Sequence, residues 1–270
     1  MIPARFALGL LLLTTIRLFG AEPSLSKKAW TILEAGTHDT RADRRAQAIS
    51  ALGVIPGDQK AVDMTELALQ DSKPEVRRAA VIALGEMDAK ASVPKIKALV
   101  PQSDGKTLLV TAEVLKKFKD PEGYEIYYQV LTGKLKRGGS VLDGLKDKKS
   151  LEKMGVEAAI GFVPFGGIGT GAYDYLKQYG IANSTVDATA AAALAQDPHP
   201  RSEKALVRAS FDGRELVEVA ALRALAKRGN SAVAPEIEPA MYSDKALVSY
   251  TAAASVVRLL DLRVGHRSKR

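Results

Sequence analysis

The sequence predicts an all-α protein, an α-α superhelix of stacked helix pairs, and three observations predict it. A pattern of Asp, Val, Ala and Ala-Leu returns every 31 to 32 residues. Within each copy the apolar positions fall at helical spacing. Ala, the strongest helix former, fills these stretches while aromatic residues make up only 6% of the chain, so the layers must be thin and closely packed. Self-similarity at this period marks units that bury their apolar faces only against their neighbours.

The clearest copy is Asp71, Pro74, Val76, Arg77, Ala80, Ala83, Leu84, Gly85. One unit earlier stand Asp39, Arg45, Ala48, Ala51, Leu52 and Gly53. A blurred copy at 102–116 keeps Leu108, Thr111, Val114 and Leu115. In the second half come Val186, Ala190, Ala193, Leu194, then Asp212, Val217, Ala221, Ala224, Leu225, then Val248, Ala252, Ser255, Val256.

Read in order, the chain opens with a charged start and an apolar run from Phe6 to Ile16, followed by Gly20-Ala21. That is too short to span a bilayer, which takes about 20 apolar residues. It has the form of an export signal. The expectation is a signal peptide over 1–21 and a single repeat domain over 22–270, in a periplasmic or secreted protein; an uncleaved membrane tether is the alternative. Ser24 or Ser26 caps a first helix through about Ala35, with Trp30 and Leu33 as its apolar side. Its expected task is to cover the open end of the stack, since terminal units need caps. In each unit a first helix follows an Asp- or Ser-bearing turn. In Asp71-Ser72-Lys73-Pro74-Glu75, Asp or Ser accepts from free backbone N–H groups and Pro fits the first turn. Gly85 and Gly53 are expected to stop these helices. Second helices are expected from about Gln59 to Leu69 and from about Ser92 to Val100, lining the concave face.

The pattern resembles the HEAT repeat in its short, phycobilisome-lyase form, carried by Asp71, Pro74, Val76, Arg77, Ala80, Ala83, Leu84 and Gly85. The resemblance implies a right-handed solenoid of about six units. It implies little about activity, because the family holds scaffolds, lyases, a hydroxylase and DNA glycosylases. The Arg77 position is kept only as Arg45, so an Arg–Asp ladder between units is expected to be weak.

One stretch departs from the period. From Leu115 to Leu194 is 79 residues, where two units take about 62. An atypical insert at about 133–181 accounts for the excess. It carries Lys146, Lys148, Lys149 and Lys153, then the apolar, glycine-rich run around Phe162, Phe165 and Gly166-Gly167-Ile168-Gly169-Thr170-Gly171. It resembles inserts of exported bacterial HEAT proteins of no known activity. The glycine run lacks the Lys and the preceding strand of a phosphate loop. It is read either as a close-packed turn or as an apolar loop that docks on a membrane surface or a partner groove.

No catalytic constellation is visible. The chain has no Cys, which removes disulfides and thiolate chemistry, and its three histidines, His38, His199 and His266, lie apart in turns and the tail. There is no His-Glu dipeptide of the iron hydroxylase type and no G-x-S-x-G. No enzyme activity, cofactor or metal is expected. Net charge is +8, and subtracting Arg5 and Arg17 leaves +6 for residues 22–270 (37 basic, 31 acidic). A basic surplus favours anionic surfaces, and an exported protein is not expected to meet nucleic acid. The function expected is an exported scaffold for a protein partner, acting through its concave face and the insert; binding to a membrane surface or an anionic envelope polymer is the alternative. Candidate contact residues are Tyr124, Tyr127, Tyr128, Phe162, Phe165, Lys146, Lys149, Arg201, Lys204 and Arg208. Tyrosine offers contact area at low entropic cost, although Tyr124 and Tyr127 equally suit packing between layers, and the three basic residues a solvated face.

Overall fold

The computed structural model describes residues 24–134 and 182–267. Among them all regular structure is helical: α1 (Leu25–Thr37), α2 (Ala42–Leu52), α3 (Gln59–Ala68), α4 (Pro74–Glu86), α5 (Val93–Ala98), α6 (Gly105–Lys117), α7 (Glu122–Leu131), α8 (Ala182–Leu194), α9 (Pro200–Ala209), α10 (Glu215–Arg228), α11 (Ala234–Ile237) and α12 (Ala246–Arg267). A 3-10 turn, Glu238–Tyr242, extends α11. The expected signal segment 1–21 and most of the insert lie outside the described residues.

Local chemistry explains the helix starts. Ser24 Oγ accepts the Lys27 N–H at 3.3 Å, Asp58 Oδ1 that of Ala61 at 2.8 Å, and Asp104 Oδ1 that of Thr107 at 2.7 Å. Each satisfies a donor that the first helical turn leaves free. Pro74 opens α4 as expected, but its cap residue is Lys73. Asp71 serves the turn before it, accepting the Lys73 N–H at 2.9 Å.

Gly85 has a different role from the one expected. Helix α4 runs through it to Glu86, and the chain turns at Asp88, with φ 54°. The Ala89 N–H then bonds the Leu84 carbonyl at 3.0 Å, which closes the helix end. Lys119, at φ 62°, ends α6 in the same way, with Asp120 N–H on the Leu115 carbonyl at 2.9 Å. What Gly85 supplies is room: a Cβ there would lie 2.9 Å from Val114 Cγ2 on α6.

The helices form two rows. First helices pack in the order α8, α10, α12, α2, α4, α6. The second row is α9, then α11 with its extension, then α1, α3, α5 and α7. The C-terminal half therefore precedes the N-terminal half along the stack. Helix α1 does not cover an open end. It packs on α12 and α2 in the middle, where it supplies the second helix that α12 otherwise lacks among the described residues. Lys28 of α1 meets Glu238 at 3.5 Å on one side, and Glu34 meets Lys60 of α3 at 2.6 Å on the other. The repeat pattern does not reveal this pairing, because it registers first helices only.

The first helices form the inner row. In α4, residues 79–85 are all buried, a run that no single helical face can hold. Helices α10 and α12 show the same, from Val217 to Val219, Ala224 to Ala226 and Tyr250 to Val257. By contrast α3 buries Ala61, Thr65 and Leu69, and α9 buries Ser202 and Leu206, one stripe each. Arg223 of α10 bonds the Ser50 carbonyl of α2 at 3.1 Å and Glu86 of α4 at 3.0 Å, two and three places along the row. Helices packed about 8–10 Å apart in a straight row would put α4 out of reach. The row must curl, with first helices crowded on the inside. The expectation that second helices line the concave face is thereby corrected.

Candidate binding surface

With the inner row packed, the second helices carry the accessible side chains. Helix α7 stands at the α6 end of the second row and packs on α6 through Gly123 and Ile126. Gly123 lets the backbones approach, since a Cβ there would lie 2.7 Å from the Ala112 carbonyl oxygen. The three candidate tyrosines then part company. Tyr127 faces inward: its hydroxyl donates to Glu113 Oε2 at 2.9 Å, and Lys116 pairs with the same carboxylate at 2.8 Å. Burial, reinforced by the Glu113 charge, pushes the Tyr127 hydroxyl up to about 12. Lys116 in turn holds Glu113 below the ordinary carboxylate value, with Tyr127 adding to it. Tyr127 thus packs between helices.

Tyr124 and Tyr128 point the other way, 67% and 53% exposed. Leu131, one turn on, is 80% exposed. Spacing of four and three puts the three side chains on one face of α7. Lys134 Nζ sits 5.1 Å from the Tyr128 ring centroid, within cation–π range. Leu131 was not among the sequence candidates. Its i+7 relation to Tyr124 was legible, but only the structure shows that no other described helix packs against this face. Leu67 on α3 and Tyr242 in the turn after α11 are also largely exposed and were likewise missed.

The basic candidates lie at the other end of the row. Arg201, Lys204 and Arg208 are all exposed on α9, opposite the buried Ser202 and Leu206. They form a cationic strip at i, i+3 and i+7. His199 caps the same helix, accepting the Arg201 N–H on Nδ1 at 3.1 Å. His38 closes α1, its Nδ1 2.9 Å from the Glu34 carbonyl. Both are explained as helix-end residues. Phe162, Phe165, Lys146 and Lys149 lie outside the described residues, as does the glycine-rich run.

Charge also joins neighbouring units. Arg45 clamps Asp71 of the next unit with Nε and Nη2 at 2.8 and 2.9 Å, and both side chains are mostly buried. The Arg45 guanidinium holds the Asp71 carboxyl below its ordinary range. In the second half the polarity is reversed. Lys245 reaches back to Glu218 at 2.9 Å and Arg214 reaches back to Asp187 at 2.6 Å. A ladder exists, then, but its cation changes side, which a search for the Arg77 position alone overlooks. Among the described residues no three His, Asp or Glu side chains come together as metal ligands, and no helix is long and apolar enough to cross a membrane.

Comparison with known proteins agrees with the architecture. No curated protein matches the chain. Residues 31–116, from α1 through nearly all of α6, match the family described as HEAT repeats. The chain thus carries HEAT repeats over that stretch, and helix pairs of the same build continue beyond it in α8 to α12.

Proposed function

We propose that the protein is an exported scaffold that holds a protein partner on its outer, second-helix row, with the α7 face as the principal contact and the 133–181 insert as a further one. HEAT repeats in general serve protein–protein interaction. The observation that carries the reading is the face formed by Tyr124, Tyr128 and Leu131, three large side chains more than half exposed where most large apolar side chains are buried. Interface hot spots favour such residues, tyrosine above all. Export rests on the form of residues 1–21.

The test is capture from envelope extract with residues 22–270, comparing the wild type, Tyr124→Ser/Tyr128→Ser/Leu131→Ser, and a deletion of 134–172. Partners lost in the triple variant support the α7 face. An unchanged partner list in that variant removes it, and an unchanged list in the deletion removes the insert.

The basic strip Arg201, Lys204 and Arg208 favours a second reading, attachment to an anionic membrane surface or envelope polymer. Sedimentation with anionic vesicles tests it. Salt-sensitive binding that falls when the three become Ser supports attachment, and binding unchanged by that substitution refutes the strip.

A further inference from the structure

The order of helices along the stack carries a consequence for the integrity of the chain. Among the described residues the packing between the two halves, 24–134 and 182–267, centres on the place where α12 and the Glu238–Tyr242 turn receive α1 and α2. The contact has the character of a core. Leu33, Ala48, Ala253, Ala254 and Val257 are fully buried there. Gly36 lies so close to its neighbours that a Cβ would come 2.5 Å from the Tyr250 ring and 2.8 Å from Ala48 Cβ. Polar bonds lock the same seam from three directions. Arg258 of α12 donates to the Val54 carbonyl at 2.9 Å, Arg223 of α10 to the Ser50 carbonyl and to Glu86, and Lys28 of α1 pairs with Glu238. Residues 134 and 182, where the described stretches break off, follow α7 and begin α8, at opposite ends of the stack.

We infer that α1 is a clasp: it completes the helix pair of α12 from the first described residues of the chain, and the seam it closes holds the two halves as one body without the covalent connection between them. The chain thus tolerates scission between its halves while remaining assembled, and its fold is completed only when the C-terminal helix is present to receive α1. Neither statement depends on which partner the outer row binds.

The experiment uses the full chain with a protease recognition sequence inserted between Gly138 and Gly139, cut to completion under native conditions. The expected result is a single species with the mass of both fragments by native mass spectrometry and the elution volume of the uncut protein, separating only in denaturant. Separate elution of the fragments without denaturant would overturn the clasp. Two seam variants locate the cohesion, Gly36→Leu and the milder Arg258→Ala/Lys28→Ala. After cutting, the milder variant should dissociate at least tenfold more readily than the wild type. Equal cohesion in the wild type and the milder variant would show that the fragments are held elsewhere and would refute the seam, whether or not Gly36→Leu folds.

Discussion

The joint between α2 and α4 and the joint between α12 and α2 look alike in space and differ in the chain. The first links consecutive units. The second links the last first-helix to the first one, with about 190 residues of sequence between them. Both bury Ala, Leu and Val almost completely, and both add an arginine: Arg45 to Asp71 at one, Arg258 to the Val54 carbonyl at the other. The difference is the second-row helix at each. At the ordinary joint α3 follows α2 directly. At the seam α1 arrives from the far end of the sequence. Stacked repeats need only a matching neighbour, and the geometry does not record which part of the chain supplied it.

If that equivalence is real, equal truncations should cost equally. Leu33→Ala on α1 and Leu84→Ala on α4 both remove a fully buried side chain. Each is expected to lower stability by about 2–5 kcal/mol in urea unfolding. A loss at Leu33 below about 1 kcal/mol, with Leu84 at the full value, would mean that α1 is only loosely docked.

Glycine sharpens the comparison at the next level. An added Cβ at Gly36 meets the Tyr250 ring and the Ala48 methyl at once, whereas at Gly85 its tightest contact is the tip of Val114. Gly36→Ala is expected to cost about 1–3 kcal/mol through overpacking. At Gly85 the gain of about 0.5–1 kcal/mol from better helix propensity offsets most of the strain. The pair of thermal denaturation curves should therefore separate, with Gly36→Ala the lower.

The ionic joint predicts a pH dependence. The Asp71 carboxyl is held below its ordinary value by the Arg45 hydrogen bonds, so its protonation is opposed in the folded state. That contribution is full above the unfolded value of about 3.9 and is lost as pH falls through the lower folded value. Asp71→Asn should cost about 1.5–3 kcal/mol at neutral pH. The gap between variant and wild type should narrow as the pH drops below about 4. A gap constant down to pH 2 would contradict the assignment.

The smallest effects concern α7. Tyr127→Phe removes the bond to Glu113 and should cost about 1 kcal/mol. Tyr124→Ser and Tyr128→Ser should stay within about 0.5 kcal/mol, because both side chains stand in solvent. Stability losses above 2 kcal/mol at Tyr124 would show it to be a packing residue.

Repeat period and alanine content made the helix pairs legible before any coordinates, since each unit must bury the same face. The first helices α4, α10 and α12 begin within three residues of where the pattern places them. Less legible was anything that depends on which helix lies next to which. Gly85 read as a stop because glycine is common after helices, but its contact is with Val114 in another unit. The reversed ion pairs Lys245–Glu218 and Arg214–Asp187 stand at shifted positions, and the first of them uses other residue types. Helix α1 has an ordinary amphipathic sequence, and nothing in Trp30 or Leu33 tells which neighbour it will find. The same limit held for the candidate site. Tyr124, Tyr127 and Tyr128 were recognisable as a group, but which of them faces α6 depends on where Gly123 seats the helix.

Zero-length carbodiimide coupling tests the closing of the stack by α1 most directly, because it joins only lysine and carboxylate side chains already in contact. Lys28 and Glu238 stand 3.5 Å apart across the seam, and Lys60–Glu34 and Lys97–Asp120, at 2.6 and 2.8 Å, serve as controls. An intramolecular Lys28–Glu238 amide is expected in the digested monomer alongside the two controls. Both controls without the Lys28–Glu238 product would contradict it.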